Sequence, residues 1–365
     1  MSMIAPRRAG LCLARAAKYG LGRRSLATAS RASDHVRLVE VGPRDGLQNE
    51  RQKIPVDTKI ELVEKLAATG LTILEAGSFV SPKWVPQMAN SSSILEHILK
   101  TPPSSPEKIK YQFLLPNTRG LDDFLNTYNA HAPTSTPDSS PASTPSPTEP
   151  PEIELSIFTA ATETFTRKNT NCSIAESLSR FAPLLSRARD ANLRVRAYIS
   201  VALGCPYEGP DVDPHKVAEL AVSLLEMGAD VISVADTTGM GTAPRTRELL
   251  KTLAAAGVEA QDLALHFHDT YGQALVNSLV GLEHGVREFD AAVAGLGGCP
   301  FSPGATGNVA TEDLVRLFES LGLKTGVDVE RLAAVGEWIS GELGRPNDSR
   351  AGKATLAQLR RGTDK

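Results

Sequence analysis

From residue 34 onward the chain alternates between two kinds of segment. Short, β-rich apolar stretches lie at 36–42, 72–77, 111–115, 153–158, 194–201, 230–235, 262–268 and 288–294. Longer stretches with helical apolar spacing separate them, among them 57–69, 174–191, 214–227, 244–256 and 271–284. Strands that alternate with helices form parallel sheets covered by helices, because a parallel connection needs a crossover. Eight such units predict an α/β fold of the (β/α)8 TIM-barrel type; a doubly wound open sheet is the rival, and strand number and regular spacing favour closure. Local signals agree with the segments. Asp57 stands where a helix cap is needed, Ser173 and Glu176 have the spacing of a capping box, and Gly70, Gly228 and Gly257 follow helical stretches as C-terminal glycines do. In a barrel, chemistry belongs at the C-terminal ends of the strands and in the loops that follow them.

Three segments depart from the rhythm. Residues 1–33 hold seven basic residues, and no acidic one occurs before Asp34; this is the composition of a mitochondrial transit peptide and predicts the matrix as destination, the alternative being a disordered basic tail. Residues 131–151 are a Pro/Ser/Thr tract, expected to be disordered and to lie on the N-terminal face of the barrel, away from the site. The catalytic domain is expected over 34–340, and the polar tail 341–365 is expected to be partly ordered at best.

Composition excludes several classes. With 39 basic and 42 acidic residues the net charge is -3, so neither nucleic acid nor a membrane surface is an expected partner. No apolar run is long enough for a transmembrane helix. The four cysteines, Cys12, Cys172, Cys205 and Cys299, lack zinc or disulfide spacing and read as free thiols, one of which could be catalytic.

Five constellations fall at predicted strand ends. After strand one comes Gly42-Pro43-Arg44-Asp45-Gly46-Leu47-Gln48. Proline and glycine make the bend, but a bend does not need Arg44 beside Asp45: a carboxylate there can bind a hard cation and a guanidinium can stabilise a developing enolate. At the end of strand seven, His266 and His268 are two apart and therefore share one face, as a metal site requires. After strand eight, glycines 295, 297, 298, 304 and 307 surround Cys299 and precede Asn308. This has the character of a mobile glycine-rich loop delivering a thiol, although free cysteines are more often small buried residues. Asp45, His266, His268 and Asn308 together offer mixed oxygen and nitrogen ligation, which suits Mg or Mn better than structural zinc. Glu75 ends strand two, where it could pair with Arg44, and Ser233 and Asp236 end strand six.

Taken together these motifs resemble the hydroxymethylglutaryl-CoA lyases, within the superfamily of metal-dependent TIM-barrel lyases and condensing enzymes. The resemblance runs over 36–340 and is carried by 41–50, 75–88, 169–173, 202–209, 266–274 and above all the cysteine-bearing loop 292–301. It implies cleavage of 3-hydroxy-3-methylglutaryl-CoA to acetyl-CoA and acetoacetate, in ketone-body formation and leucine degradation, by an enzyme that is often a homodimer. It implies that Asp45, His266, His268 and Asn308 bind the divalent cation. Arg44 would stabilise the enolate, Cys299 would transfer a proton, and Asp236 and Glu75 would support acid–base chemistry and orientation; His266 counts with the catalytic group as well. Gln48, Ser78, Asn169 and Ser233, with Arg44, would line the acyl-CoA pocket.

The sequence departs from the family at Phe301, where tyrosine is usual, at Ala292, where serine is frequent, and in the 131–151 insertion. It ends without a peroxisomal tripeptide or a nearby cysteine, so no redox link through the tail is expected. Three rivals remain: an acyl-CoA/2-oxo acid condensing enzyme, which usually carries a further C-terminal domain; a lyase for a related 3-hydroxyacyl-CoA; and a barrel retained only for binding.

Overall fold

The computed structural model describes residues 34–132, 151–298 and 307–363. Eight parallel strands pair in sequence order and close on themselves, with the first strand paired to the eighth. They are β1 Arg37–Glu40, β2 Ile73–Ser78, β3 Lys110–Leu114, β4 Glu152–Ala160, β5 Arg194–Ser200, β6 Val231–Asp236, β7 Leu263–Phe267 and β8 Glu288–Ala291. Among the described residues the helices are α1 Val56–Ala67, α2 Ser91–Lys100, α3 Thr118–His131, α4 Glu163–Thr170, α5 Ile174–Asp190, α6 Pro214–Met227, α7 Ala243–Ala255, α8 Ala274–Glu283, α9 Thr311–Ser320, α10 Val329–Leu343 and α11 Arg350–Thr363. The open-sheet alternative is thereby excluded. None of these helices is long and apolar enough to cross a membrane.

Alternation along the strands sorts side chains into two layers. In β3, for example, Tyr111 and Phe113 occupy one face; Phe113 packs against Phe124 of α3 and Phe79 after β2, each with ring centroids 5.9 Å from its own, and those two rings lie 5.4 Å from one another. Each such buried aromatic contributes roughly 1.5–3 kcal/mol by leaving water. The inward face is unusually polar. Glu75, Gln112, Glu154, Ser156, Arg196, Ser233, His266 and Asp290 are all buried, so the cylinder is filled partly by paired charge rather than by branched aliphatics alone.

The helix signals hold at most points. Ser173 and Glu176 form the reciprocal capping box at the start of α5. Gly70, Gly228 and Gly257 adopt φ of 90°, 111° and 90°, the left-handed conformation in which a helix end is reversed cheaply. Asp57 does not cap α1: Pro55 holds that position without a side-chain bond, and Asp57 is the second residue of the first turn, where its charge faces the positive end of the helix dipole.

Strand eight ends at Ala291 rather than 294, because Val293–Gly295 turns sharply through a left-handed Ala294 (φ 57°). The expected polar tail is instead well-formed structure: α10 runs to Leu343 and α11 begins at Arg350, its N-terminus capped by Asp313, which accepts from Ser349 Oγ and Ala351 N at 2.8 and 2.7 Å. Burial of the Asp313 and Ser349 pair explains why a polar-looking segment docks: its polar groups are satisfied inside the interface. Residues 1–33, expected to be a transit peptide, most of the 131–151 tract and Cys299 lie outside the described residues.

Candidate active site

The turn Gly42–Gly46 directly follows β1 and presents Arg44 and Asp45 at the C-terminal mouth of the barrel. Gly46 is required there by contact, since a Cβ would meet Leu296 Cβ at 2.8 Å. Arg44 is buried and spans two carboxylates. Its Nε and Nη2 reach Glu75 Oε2 at 2.7 and 2.5 Å, and its Nη1 reaches Asp45 Oδ1 at 2.5 Å. Glu75, wholly buried in the middle of β2, three residues before its end, also accepts from Ser156 Oγ of β4 at 2.7 Å and from the Tyr198 hydroxyl of β5 at 3.2 Å. Burial opposes the charge on Arg44, but Glu75 and Asp45 outweigh it and hold the guanidinium firmly protonated. The Tyr198 phenol is kept protonated, first by burial and then by Glu75.

The second oxygen of Asp45 faces the imidazoles. His268 Nε2 lies 3.7 Å and His266 Nε2 4.0 Å from Asp45 Oδ2. Ligand atoms of the three residues all lie within 4.8 Å of one another. Donors that share a cation at about 2.0–2.2 Å stand about 3–4.4 Å apart, so these separations suit a divalent ion between them. Two further observations fit. His268 Nδ1 and Asn308 Oδ1 are buried without a hydrogen-bond partner. Burial also lowers the pKa of His268 against the pull of Asp45, which favours the neutral, ligating form of the ring. Burial raises the Asp45 carboxyl, but Arg44, His268 and His266 override it and leave the group ionised far below the usual range.

Asn308 reaches the cluster through a single antiparallel bridge, His268 to Asn308, just beyond the end of β7. In the structure it turns its amide nitrogen, not its oxygen, toward Asp45: Nδ2 donates to Asp45 Oδ2 and to Leu296 O, both at 3.0 Å. Gln48 adds a donor to Asp45 Oδ1 at 3.1 Å. Gly297 packs directly on this amide, since a Cβ there would lie 2.7 Å from Asn308 Nδ2.

The remaining sequence-derived residues are placed differently. Asp236 is buried at the end of β6, where its Oδ2 accepts from Gly241 N at 2.8 Å; burial raises its pKa to about 6. Ser233 does not line an open pocket. It is fully buried one layer below the mouth, donating to Asp290 at 3.1 Å and accepting from Arg196 at 3.0 Å, because it precedes the strand end by three residues. Ser78 lines a cavity of about 350 Å³ with Asn117, Arg119 and Asp123, and donates to Leu114 O. Asn169 on α4 bonds the Phe165 carbonyl of its own helix.

Sequence reading missed a supporting set. Asp290 of β8 holds His266 Nδ1 at 3.2 Å, which directs Nε2 toward Asp45. Arg196 pairs with Asp290 and, at 2.6 Å, with Glu288. The available signal was charge at alternate positions within strands, Arg194/Arg196 in β5 and Glu288/Asp290 in β8.

One buried acid near the site gives a stability prediction. Glu312 of α9 accepts from Ala294 N through both oxygens, and burial, with Glu40 and Asp313 nearby, raises its pKa to about 8 from 4.5. Between those values the unfolded chain has lost a proton that the folded protein keeps, so stability falls as pH rises through that window. The melting-temperature advantage of Glu312→Gln over the wild type is therefore expected to grow between about pH 5 and about pH 8. A difference that stays constant across that range in calorimetry would show that Glu312 does not titrate there.

A closed parallel barrel whose C-terminal mouth gathers an Arg–Asp pair, two imidazoles and an asparagine defines a metal-site barrel enzyme. Residues 35–339 match the HMGL-like family, and the chain belongs to that family. It is 48% identical over 323 residues, 88% of this chain and 98% of the relative, to the 3-hydroxy-3-isohexenylglutaryl-CoA/hydroxy-methylglutaryl-CoA lyase of Pseudomonas aeruginosa. It is 46% identical over 340 residues, 92% and 95% of the two chains, to the mitochondrial hydroxymethylglutaryl-CoA lyase of Rattus norvegicus. Among solved structures, the Pseudomonas aeruginosa hydroxymethylglutaryl-CoA lyase superposes with a TM-score of 0.78 at 47% identity, covering 90% of this chain and 99% of that one. An HMG-CoA lyase from Acinetobacter baumannii, solved with coenzyme A and 3-methylmalate, gives 0.75 at 32% identity, covering 90% and 97%.

Proposed function

We propose that the protein is a divalent-metal-dependent lyase that cleaves 3-hydroxy-3-methylglutaryl-CoA to acetyl-CoA and acetoacetate. The observation that carries this reading is the Arg44 fork on Glu75, set one residue from a carboxylate that faces His266 and His268. Asp45, His266, His268 and Asn308 would hold the cation, Asn308 turning its oxygen inward to do so. The donor set suits Mg or Mn. A cation held there supplies Lewis acidity that lowers the pKa of an adjacent hydroxyl.

The protein's own groups do the rest. Asp236, with a carboxyl near 6, is ionised at neutral pH and takes the proton of the tertiary hydroxyl. The C2–C3 bond breaks, C3 becomes the ketone of acetoacetate, and the electron pair moves into the thioester as an enolate. Arg44, oriented by Glu75, stabilises the enolate oxygen. Cys299 supplies the proton that C2 needs, as the family resemblance implies; Cys299→Ala is expected to lose most turnover while cation affinity survives, and unchanged turnover would remove the thiol from the reaction. Gln48, Ser78 and Asn169 are assigned to the acyl-CoA pocket, and Ser233 to the support beneath it.

The basic leader and the mitochondrial relatives support a matrix location, and the resemblance supports a homodimer. The Pseudomonas aeruginosa relative's name keeps a bulkier 3-hydroxyacyl-CoA open as a second substrate. Acetoacetate release from 3-hydroxy-3-methylglutaryl-CoA, abolished by chelator and restored by Mg or Mn, is the deciding assay. Bond formation from acetyl-CoA and a 2-oxo acid, with no acetoacetate released, would give the site to a condensing enzyme instead.

A further inference from the structure

The loops that carry Asp45 and Asn308 meet at the seam where β1 closes on β8, and nothing covalent joins them there. Beneath the rim the Glu40 carboxylate spans the seam, accepting from Gly42 N and Val293 N at 2.8 and 2.9 Å; at the rim itself a residue from the far end of the chain crosses it. Helix α10 ends at Gly344 in a left-handed conformation, and the Arg345 amide turns back to Ser340 O at 3.0 Å. This reversal sends the Arg345 side chain across the seam. Its Nη1 donates to Glu50 Oε1 at 2.8 Å and to the Gly297 carbonyl at 3.3 Å, while Nη2 reaches Asp348 Oδ2 at 3.2 Å.

Glu50 ends the segment that begins with Arg44 and Asp45, and Gly297 is the residue that rests on the Asn308 amide. Two neighbouring contacts reinforce the bridge. Asn49 Nδ2 donates to Gly298 O at 2.9 Å, and the Asp348 amide donates to Ala294 O at 3.0 Å. The strand-seven loop is tied in more loosely: Arg350 Nη1 stands 3.8 Å from Asp269 Oδ2, and the Asp269 amide donates to Gly307 O at 3.1 Å.

We propose that Arg345 is a positioning residue for the lyase reaction: it locks the Arg44–Asp45 loop to the stem of the glycine-rich loop, so that Asp45 and Asn308 are presented to each other in register. This inference rests on the lyase reading above. An ordinary surface ion pair would not behave this way, because such pairs contribute little and neither partner need be fixed. Here both side chains are only about a fifth exposed, and the same guanidinium nitrogen also binds a main-chain carbonyl of the second loop. The planar fork is essential, since one nitrogen serves the two loops while the other is anchored to Asp348; a lysine offers one point charge in its place.

The test compares the full-length wild type with Arg345→Gln, Arg345→Lys, Glu50→Gln and the Arg345→Gln/Glu50→Gln double variant. A misplacement on the order of 1 Å at reacting groups costs up to about 100-fold in rate. Arg345→Gln is expected to lower kcat for acetoacetate release about 10-fold or more, with KM within about threefold, and Arg345→Lys to recover only part of the loss. The melting temperature is expected to stay within about 2 °C of wild type, since the contact lies at the rim rather than in the core. The double variant is expected to be no worse than Arg345→Gln alone, because both changes break one bridge. Amide hydrogen exchange is expected to rise in peptides covering 45–50 and 292–298 and to stay unchanged in β4 and β5. A kcat within about twofold of wild type, or Arg345 and Glu50 losses that multiply, overturns the proposal. Should the wild type itself release no acetoacetate, the lyase reading fails, and exchange alone decides the bridge: unchanged exchange at 292–298 sinks it.

Discussion

Arg44→Gln is expected to reduce kcat by about 100- to 1,000-fold, the cost of removing one preorganised donor from a developing oxyanion. The loss has two possible sources that must be separated. Arg44 neutralises Glu75, whose remaining partners are the neutral hydroxyls of Ser156 and Tyr198. Breaking a buried ion pair from one side costs about 3–5 kcal/mol, so the single variant is expected to melt well below wild type. Arg44→Gln/Glu75→Gln replaces the pair by two neutral amides and is expected to regain much of that stability while remaining inactive. Arg44→Lys is expected to recover little activity, because an ammonium cannot span Glu75 and Asp45 as the guanidinium does. Steady-state acetoacetate release and calorimetry on the four proteins settle the matter. Activity returning with stability in the double variant would reduce Arg44 to a structural role.

Asp45→Asn is expected to weaken Mn affinity by at least about 100-fold, beyond what the loss of a supporting contact to a ligand costs. The reason is charge. Asp45 supplies the negative charge among the three clustered candidate ligands, the other two being imidazoles. Its environment keeps it ionised, and asparagine removes that charge while retaining the shape. Binding is read directly, by paramagnetic resonance or calorimetry with Mn alone, so the result does not depend on turnover. Asp290→Asn, one contact further out through His266 Nδ1, provides the scale for a supporting residue. An Asp45→Asn protein that binds Mn as tightly as wild type would place the cation elsewhere.

How much of the site is legible in the sequence follows from what kind of interaction builds each part. His266 and His268 are found from spacing, because two residues apart on a strand always share a face. Arg44 and Asp45 are found because a barrel puts strand ends at its mouth, and Ser173 with Glu176 is found because a capping box is local; Glu75 lies three residues before the end of β2 and joins the site through its pair with Arg44. The errors have the opposite character. Ser233, expected at the end of strand six and in the pocket lining, sits a layer lower, because its buried partners, Arg196 and Asp290, lie on other strands. Asp290 is signalled only by its alternation with Glu288 in a strand, and its partner His266 is 24 residues away, so its role is not legible locally. The polar composition of the tail does not announce a docked helix, because the carboxylate that caps it, Asp313, lies 36 residues back.

The sequence by itself determined the eight alternating strand and helix units and the identity of the charged groups at the strand ends, since period, punctuation and residue type are properties of short stretches; closure was decided by the pairing of the first strand with the eighth. Tertiary structure decided which nitrogen of His266 faces Asp45, that Asn308 meets the cluster through its bridge to His268, and that Arg345 crosses the seam between the first and last strands. Those are consequences of closure: a cylinder brings together residues up to 295 positions apart, and only its geometry specifies the contact.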